Sequence, residues 1–278
     1  MAQEENCCVV VCESPLDQLY WDAQYQANQT AWDLGCCSPA FQALVAGIND
    51  KNAAILIPGC GSSYEAKHLV SIGFTNITLI DIAPTLVQKL QAEFKETPQV
   101  RVILTDFFAH QNQYDYIVEQ TFFCALPPTL RVQYVAKMHQ LLQPKGQLMG
   151  LFFDTTFEVS PPFGGSKEEY ISLFESAFTL LQLDKTSLSV PKRVGIELAF
   201  QFQKKDPLLV STYQFKGITC SGCKTSVMEK FKTIPNVLSA QMNTAFDFVM
   251  LTSTAPIALS DLQKAIAYDA DYQITPLN

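Results

Sequence analysis

No apolar run in this chain approaches the ~18 residues that a membrane span needs, which excludes an integral helical membrane protein. Positive charge is also in deficit: 19 Lys and Arg stand against 27 Asp and Glu, a net charge of −8. Binding a phosphate backbone requires a surplus of cations, so no nucleic-acid partner is expected and a small or neutral one is favoured. Histidine is scarce. His68, His110 and His139 each fall inside or beside an element expected at the surface, and no Ser-His-Asp or Cys-His constellation can be assembled around them. The stretch from Met1 to Asn6 bears acidic residues where a secretory leader bears positive ones, and the expected location is cytoplasmic.

Cysteine, by contrast, is plentiful. Nine cysteines is an odd number, in a chain far longer than a disulfide-stapled scaffold, and mostly reduced thiols are expected. Cys7, Cys8, Cys12, Cys36 and Cys37 have the makings of a soft-metal cluster, but small buried hydrophobes explain them as well. With 48% hydrophobic and 17% charged residues, the chain can bury one substantial core and has room for a second, smaller domain.

Short apolar runs at 53–57, 76–81, 100–104, 114–119 and 146–153 suit strands buried on both faces. Between them, 63–72, 85–94 and 130–142 space apolar residues three and four apart, as helices do. Right-handed crossovers of this kind produce a doubly wound α/β sheet. The runs 178–183 and 195–202 lack a helix between them and carry the Val190-Pro191 break, so they are expected to close one edge as an antiparallel pair.

The first strand runs into Pro58-Gly59-Cys60-Gly61-Ser62-Ser63-Tyr64-Glu65. Gly59 and Gly61 permit a tight turn and close approach of a ligand, and Cys60 is small enough not to obstruct it. Ser62 and Glu65 have the spacing of a capping box. The third glycine of the dinucleotide fingerprint is absent, with Ser63 in its place, so the turn alone is weak evidence. Asp81, about twenty residues on at the end of the second strand, can accept both hydroxyls of a ribose. Asp106 and Phe107 follow the third strand and suit an adenine edge and face, while Glu119 and Gln120 add polar groups after the fourth. All lie at the carboxyl ends of consecutive strands, where open parallel sheets bind nucleosides.

Longer motifs select among nucleosides. Thr30-Ala31-Trp32-Asp33-Leu34-Gly35, the 58–61 turn, the run 120–126 with Arg131 beyond it, the 160–165 loop and the 193–197 stretch together resemble the thiopurine methyltransferase family, in its thiol and halide methyltransferase branch. The likeness runs from Leu16 to Phe202. It implies a class I methyltransferase, a Rossmann-like fold with S-adenosylmethionine as cofactor, and aromatic cover over that cofactor from Trp21, Tyr25 and Trp32. Trp21 and Tyr25 would share a helix face, and a sulfonium beside aromatic faces is favourable. The plain alternative is that all three are core aromatics. Thiopurine methyltransferases proper carry an Arg where this chain has Phe123, so a more apolar pocket is expected and thiopurines suit it less. The loop Ser160-Pro161-Pro162-Phe163-Gly164-Gly165 either lines the acceptor pocket or serves as a rigid turn.

Methyl transfer from a sulfonium is an in-line displacement whose leaving group is already activated, so alignment supplies much of the rate. A thiol, sulfide or selenide ionises near or below neutral pH and needs only a dry cavity and one orienting polar group. Glu119, Arg131 and Tyr114, with Gln120, are the candidates for that group.

Residues 203–211 read as a linker, and the expected organisation is a methyltransferase domain over 1–205, a linker over 206–210 and a second domain over 211–278. From Ser211 onward five Lys balance five Asp or Glu, so the whole acidic excess lies upstream and the tail reads as a separate, neutral unit. Strand signals at 212–217, 237–242, 246–253 and 272–275, with helices between, give the ferredoxin-like βαββαβ order. Gly217-Ile218-Thr219-Cys220-Ser221-Gly222-Cys223 resembles the motif of heavy-metal-associated domains, with Ile218 in place of a Met at a packing position. A loop entering a helix N-terminus lowers the thiol pKa of Cys220 and Cys223 and favours soft ions, Cu(I) first, with Zn and other heavy metals open. A thioredoxin-type redox pair and a ligand-free relic are the alternatives, and the strand order speaks against thioredoxin.

The combined expectation is an enzyme that methylates a small soft nucleophile, a thiol, sulfide, selenium or tellurium species or halide. Its tail is expected to bind a soft metal or metalloid, in detoxification or metal-linked regulation. A methyltransferase fold without catalysis, serving as sensor or scaffold for the tail, is the alternative. Methylation at nitrogen or oxygen is disfavoured by the absence of an obvious general base.

Overall fold

The structure, a computed structural model, describes residues 15–277, so Cys7, Cys8 and Cys12 lie outside the described residues. Helix α1 (Gln18–Gln26) starts where the Asp17 side chain accepts the Tyr20 N–H, and α2 (Pro39–Val45) opens on a proline whose missing N–H costs nothing there. Then β1 (Ile55–Pro58), α3 (Tyr64–Ser71), β2 (Ile77–Asp81), α4 (Pro84–Glu93), β3 (Val100–Leu104), β4 (Tyr114–Gln120), α5 (Arg131–Leu141) and β5 (Leu142–Phe153) alternate as the apolar runs predicted. Every residue of β1 and β2 is buried, as befits parallel strands covered on both faces. After α6 (Lys167–Phe174), capped by Ser166, the strands β6 (Phe178–Lys185) and β7 (Glu197–Lys204) pair antiparallel at one edge.

The sheet order is β3-β2-β1-β4-β5-β7-β6. The order reverses between β1 and β4, which opens a crevice at the carboxyl ends of the strands. One core, around Phe41, Leu69 and Leu90, lies under α2, α3 and α4. The other, dense in aromatics, gathers Phe123, Tyr134, Phe152, Phe174 and Phe200 under α5 and α6.

The C-terminal unit comprises β8 (Leu209–Lys216), α7 (Ser221–Lys232), β9 (Val237–Met242), β10 (Phe248–Ser253), α8 (Leu259–Ile266) and β11 (Gln273–Pro276). Its four strands form an antiparallel sheet ordered β11-β8-β10-β9. Phe215, Val227, Phe231, Leu251 and Leu262 fill the core between that sheet and its two helices. The opposite face is covered as well. Phe248 and Met250 belong to the same cluster as Tyr134, Val135 and Met138, because α5 lies across β8 and β10. The tail is thus docked on the first unit: β10 is apolar on both faces, and α5 covers the second.

Candidate active site

A cavity of about 950 Å³ opens above the carboxyl ends of β1 to β4. Its floor is the turn after β1. Gly59 has φ +53°, and a Cβ there would come within 2.1 Å of the Phe122 ring. Gly61 has φ +50°, with the Tyr25 hydroxyl 3.8 Å from the place a Cβ would take. The capping box does not form. Ser63 is the N-cap, in the left-handed region at φ +51° with no side-chain bond, because the Ser62 hydroxyl donates instead to Asp33. Glu65 is buried against the cavity wall, which pushes its carboxyl up to about 7 against the opposing pull of the Ser38 N–H and Arg193.

Asp81 ends β2 with its carboxylate already oriented: Oδ1 accepts the Ala83 N–H at 3.0 Å and Oδ2 the Gly61 N–H at 3.4 Å. Burial pushes this carboxyl up to about 6. Asp106 and Phe107 line the cavity beside it, Asp106 accepting the Phe108 N–H at 2.8 Å. Over them lies an aromatic cover. Trp32 meets Trp21 at 5.5 Å and Tyr25 at 5.8 Å, both edge to face, and all three line the cavity. Helix α1 is tied down by Asp22, which accepts the Thr85 N–H at 2.7 Å, and by Gln18, which donates to the Ile82 carbonyl at 3.0 Å.

The far end is apolar, walled by Phe122, Leu126, Leu130, Phe153, Phe157, Pro161 and Pro162. Gln120 points in with its Oε1 buried and unpartnered. Among the described residues, five carboxylates, of Asp17, Asp33, Glu65, Asp81 and Asp106, line the cavity together with two cations, Lys192 and Arg193, from one short segment before β7. Arg193 is buried, donating to the Trp32 carbonyl at 3.1 Å, pairing with Glu197 at 3.3 Å and lying 5.3 Å from the Phe153 ring centre.

Residues 16–206, the whole of this sheet and its helices, match the family described as thiopurine S-methyltransferase. The chain belongs to that family. It is an S-adenosylmethionine-dependent methyltransferase of class I, Rossmann-like fold. It is 30% identical over 191 residues to a probable thiol methyltransferase 2 of Arabidopsis thaliana, covering 66% of this chain and 84% of that one. It is 28% identical over 196 residues to a thiopurine S-methyltransferase of Vibrio parahaemolyticus, covering 63% and 90%. A thiocyanate methyltransferase 1 of Brassica oleracea is 25% identical over 191 residues, covering 66% and 84%. Among solved structures, a Burkholderia thailandensis 1,6-didemethyltoxoflavin-N1-methyltransferase with bound S-adenosylhomocysteine superposes at a TM-score of 0.56 and 18% identity, over 68% of this chain and 87% of that one, which shows a common fold.

The residues present fit S-adenosylmethionine: a glycine cradle that a Cβ would fill, a buried carboxylate at the end of β2, and Gln120 in the lining with a buried, unpartnered oxygen. Of the sequence-predicted residues, Trp21, Tyr25, Trp32, Gly59, Gly61, Asp81, Asp106, Phe107 and Gln120 all come together around it. Of the four candidate orienting groups, Gln120 does and the other three do not. Tyr114 sits at the opposite end of β4, its hydroxyl 2.8 Å from His110 Nε2. Glu119 is fully buried beneath the 120–123 turn, where Oε2 accepts the N–H groups of Phe122 and Phe123 at 3.0 and 2.9 Å. Burial pushes its carboxyl up to about 8. Arg131 lies behind the wall, paired with Glu169 and donating to the Gly164 carbonyl at 2.6 Å. Phe123, expected to face the pocket, packs into the core against Tyr134 and Phe152, and Phe122 faces the cavity instead. His110 and His139 are buried, contrary to the surface positions expected. Arg193 is a further lining residue; its signal in the sequence is its place in the 193–197 stretch of the family resemblance, with Glu197 four residues on.

In the C-terminal unit, Gly217 has φ +100° and no room for a Cβ, which would meet the Asp271 carbonyl at 2.3 Å. Ile218 packs into the core there, and Cys220 caps α7, its Sγ accepting the Cys223 N–H at 3.2 Å. The two cysteines stand 5.3 Å apart at Cα, close enough for their sulfurs to meet. Cys36, Cys37, Cys60 and Cys124 are free thiols, as expected.

Proposed function

We propose that this chain methylates a small soft nucleophile of the thiol type. We propose further that its tail, residues 211–278 beyond a 206–210 linker, is a ferredoxin-like, heavy-metal-associated domain that binds a soft ion, Cu(I) foremost, through reduced Cys220 and Cys223. The observation that carries the first reading is the cavity lining: carboxylates and aromatic faces around the glycine turn, together with a group of apolar side chains and the cations Lys192 and Arg193. S-adenosylmethionine, when bound, supplies a methyl group on a sulfonium, an electrophile that needs no further activation. Asp81 accepts the ribose hydroxyls, Asp106 and Phe107 meet the adenine, and Trp21, Tyr25 and Trp32 present faces to the cation.

In the apolar part of the cavity, Lys192 and Arg193 favour the thiolate over the thiol, and the ring of Phe122, Phe153, Phe157 and the two prolines excludes water from it. Among the described residues no histidine lines the cavity, and a thiolate requires no base. Relatives named for thiol and thiocyanate support the same acceptor class.

Calorimetric titration of the reduced protein with S-adenosylmethionine and S-adenosylhomocysteine, then turnover on alkyl and aryl thiols, sulfide, thiocyanate, selenide and iodide, tests this reading. Binding with turnover on a chalcogen is expected, whereas binding of neither nucleoside overturns it. For the tail, anaerobic Cu(I) titration of the reduced protein is expected to show one tight equivalent that a Cys220→Ser, Cys223→Ser variant loses. An undiminished equivalent in that variant would place the metal elsewhere.

A further inference from the structure

We propose that the C-terminal unit is a working part of the acceptor site, with Gln241 and Asn243 acting as positioning residues for its wall. The inference rests on the acceptor end assigned under the proposed function. That wall, at Pro161 and Pro162, runs into Gly164, whose carbonyl is held by Arg131. A Cβ on Gly164 would lie 1.9 Å from the Thr155 carbonyl, and Gly165 donates its N–H to that same oxygen at 3.0 Å, so the loop has one tightly packed seat. The other arm of Arg131 pairs with Glu169. Since Arg131 opens α5 and Glu169 lies in the first turn of α6, the spacing of these two helices sets where the loop is held.

The tail grips both helices beside that pair. Asn243, the residue after β9, donates from Nδ2 to the Thr129 carbonyl at 3.1 Å, next to Leu130 of the cavity lining and two residues before Arg131. Gln241 donates from Nε2 to the Ser172 carbonyl at 2.9 Å, three residues after Glu169 on α6. Asn243 is 2% exposed and preset by its own turn, its Oδ1 accepting the N–H groups of Asp247 and Phe248 at 3.1 Å each. A buried amide oriented in advance and spending a donor across an interface fixes register, and leaving its partner carbonyl unpaired is costly. Phe248 and Met250 add apolar contact with α5. The sheet of the tail thus acts as a strut across α5 and α6, behind the wall that the acceptor meets.

The test uses the full-length protein carrying Asn243→Ala, Gln241→Ala or both, with two readouts. Hydrogen exchange of residues 155–166 with S-adenosylhomocysteine bound is expected to quicken in the double variant and, more weakly, in each single one. The thiol KM is expected to rise roughly tenfold while the S-adenosylmethionine Kd stays within about twofold, a split that general destabilisation does not produce. Unchanged exchange in 155–166 and unchanged thiol KM in a folded double variant would overturn the inference. Should Asn243→Ala fail to fold, Gln241→Ala alone decides it by the same two readouts. If the parent protein methylates no thiol, the acceptor reading fails, while exchange in 155–166 still decides whether the tail holds the wall.

Discussion

Asp81→Asn is expected to weaken S-adenosylmethionine binding by roughly 10²-fold or more. The carboxylate can accept two ribose hydroxyls, and hydrogen bonds to a charged group contribute roughly 1.5–3 kcal/mol each. The amide keeps one acceptor and no charge, and every 1.4 kcal/mol is about tenfold in Kd. Asn is the informative replacement because Ala would also free the Gly61 and Ala83 N–H groups that shape the turn.

The same residue sets a pH dependence. Burial raises the Asp81 carboxyl from its ordinary 3.8 to about 6, so its contribution to folding is fully present below 3.8 and is lost as pH rises through 6. Cofactor binding runs the other way, because it requires the ionised form. Affinity is therefore expected to climb as pH rises through about 6 and level off above it, and the Asn variant is expected to lack that step. Calorimetry between pH 5 and 8 checks both statements, and a parent protein whose Kd is flat across that range would count against the ribose assignment.

Gly164→Ala has the second largest expected effect, and it falls on the acceptor instead of the cofactor. Its Cβ would meet backbone, the Thr155 carbonyl at 1.9 Å, which cannot rotate away as a side chain can. The bridge between Thr155 and Gly165 must open, and the wall at Pro161 and Pro162 moves with it. A displacement of about 1 Å at an acceptor wall costs roughly 10²-fold in rate. The thiol kcat/KM is expected to fall by about that factor with S-adenosylmethionine Kd nearly unchanged. A loss of cofactor affinity equal to the loss of rate would show that the loop belongs to the cofactor end.

The parallel sheet was legible in the sequence because its evidence is local. Strand β3 has the bounds its apolar run predicts, and the edge pair β6 and β7 appears where the Val190-Pro191 break excludes a helix crossover. Helices α2 and α6 went unread: seven and eight residues long, they carry barely two turns of periodicity. The cofactor side was legible for a topological reason. A parallel sheet brings the carboxyl end of every strand to one edge, so the position of Gly59, Asp81, Asp106 and Gln120 along the chain already places them together.

The candidate orienting groups were misplaced because strand position does not decide where a side chain points. Glu119 and Gln120 are neighbours, yet alternation sends one beneath the turn and the other into the cavity. Tyr114 lies on the right strand at the wrong end, and Arg131 reaches the wall from behind, through Gly164. Arg193 enters the site through contacts with Trp32 and Phe153, far away in sequence.

By itself, then, the sequence determined the two sheets, the glycine turn with its carboxylate, and the methyltransferase family, since periodicity and short motifs are properties of neighbouring residues. Tertiary structure alone decided which polar groups face the cavity, that Cys220 and Cys223 lie side by side, and that the tail is docked on α5 and α6. Those outcomes depend on which apolar faces cover one another, and Phe248 and Met250 reveal their partner only when α5 lies across them.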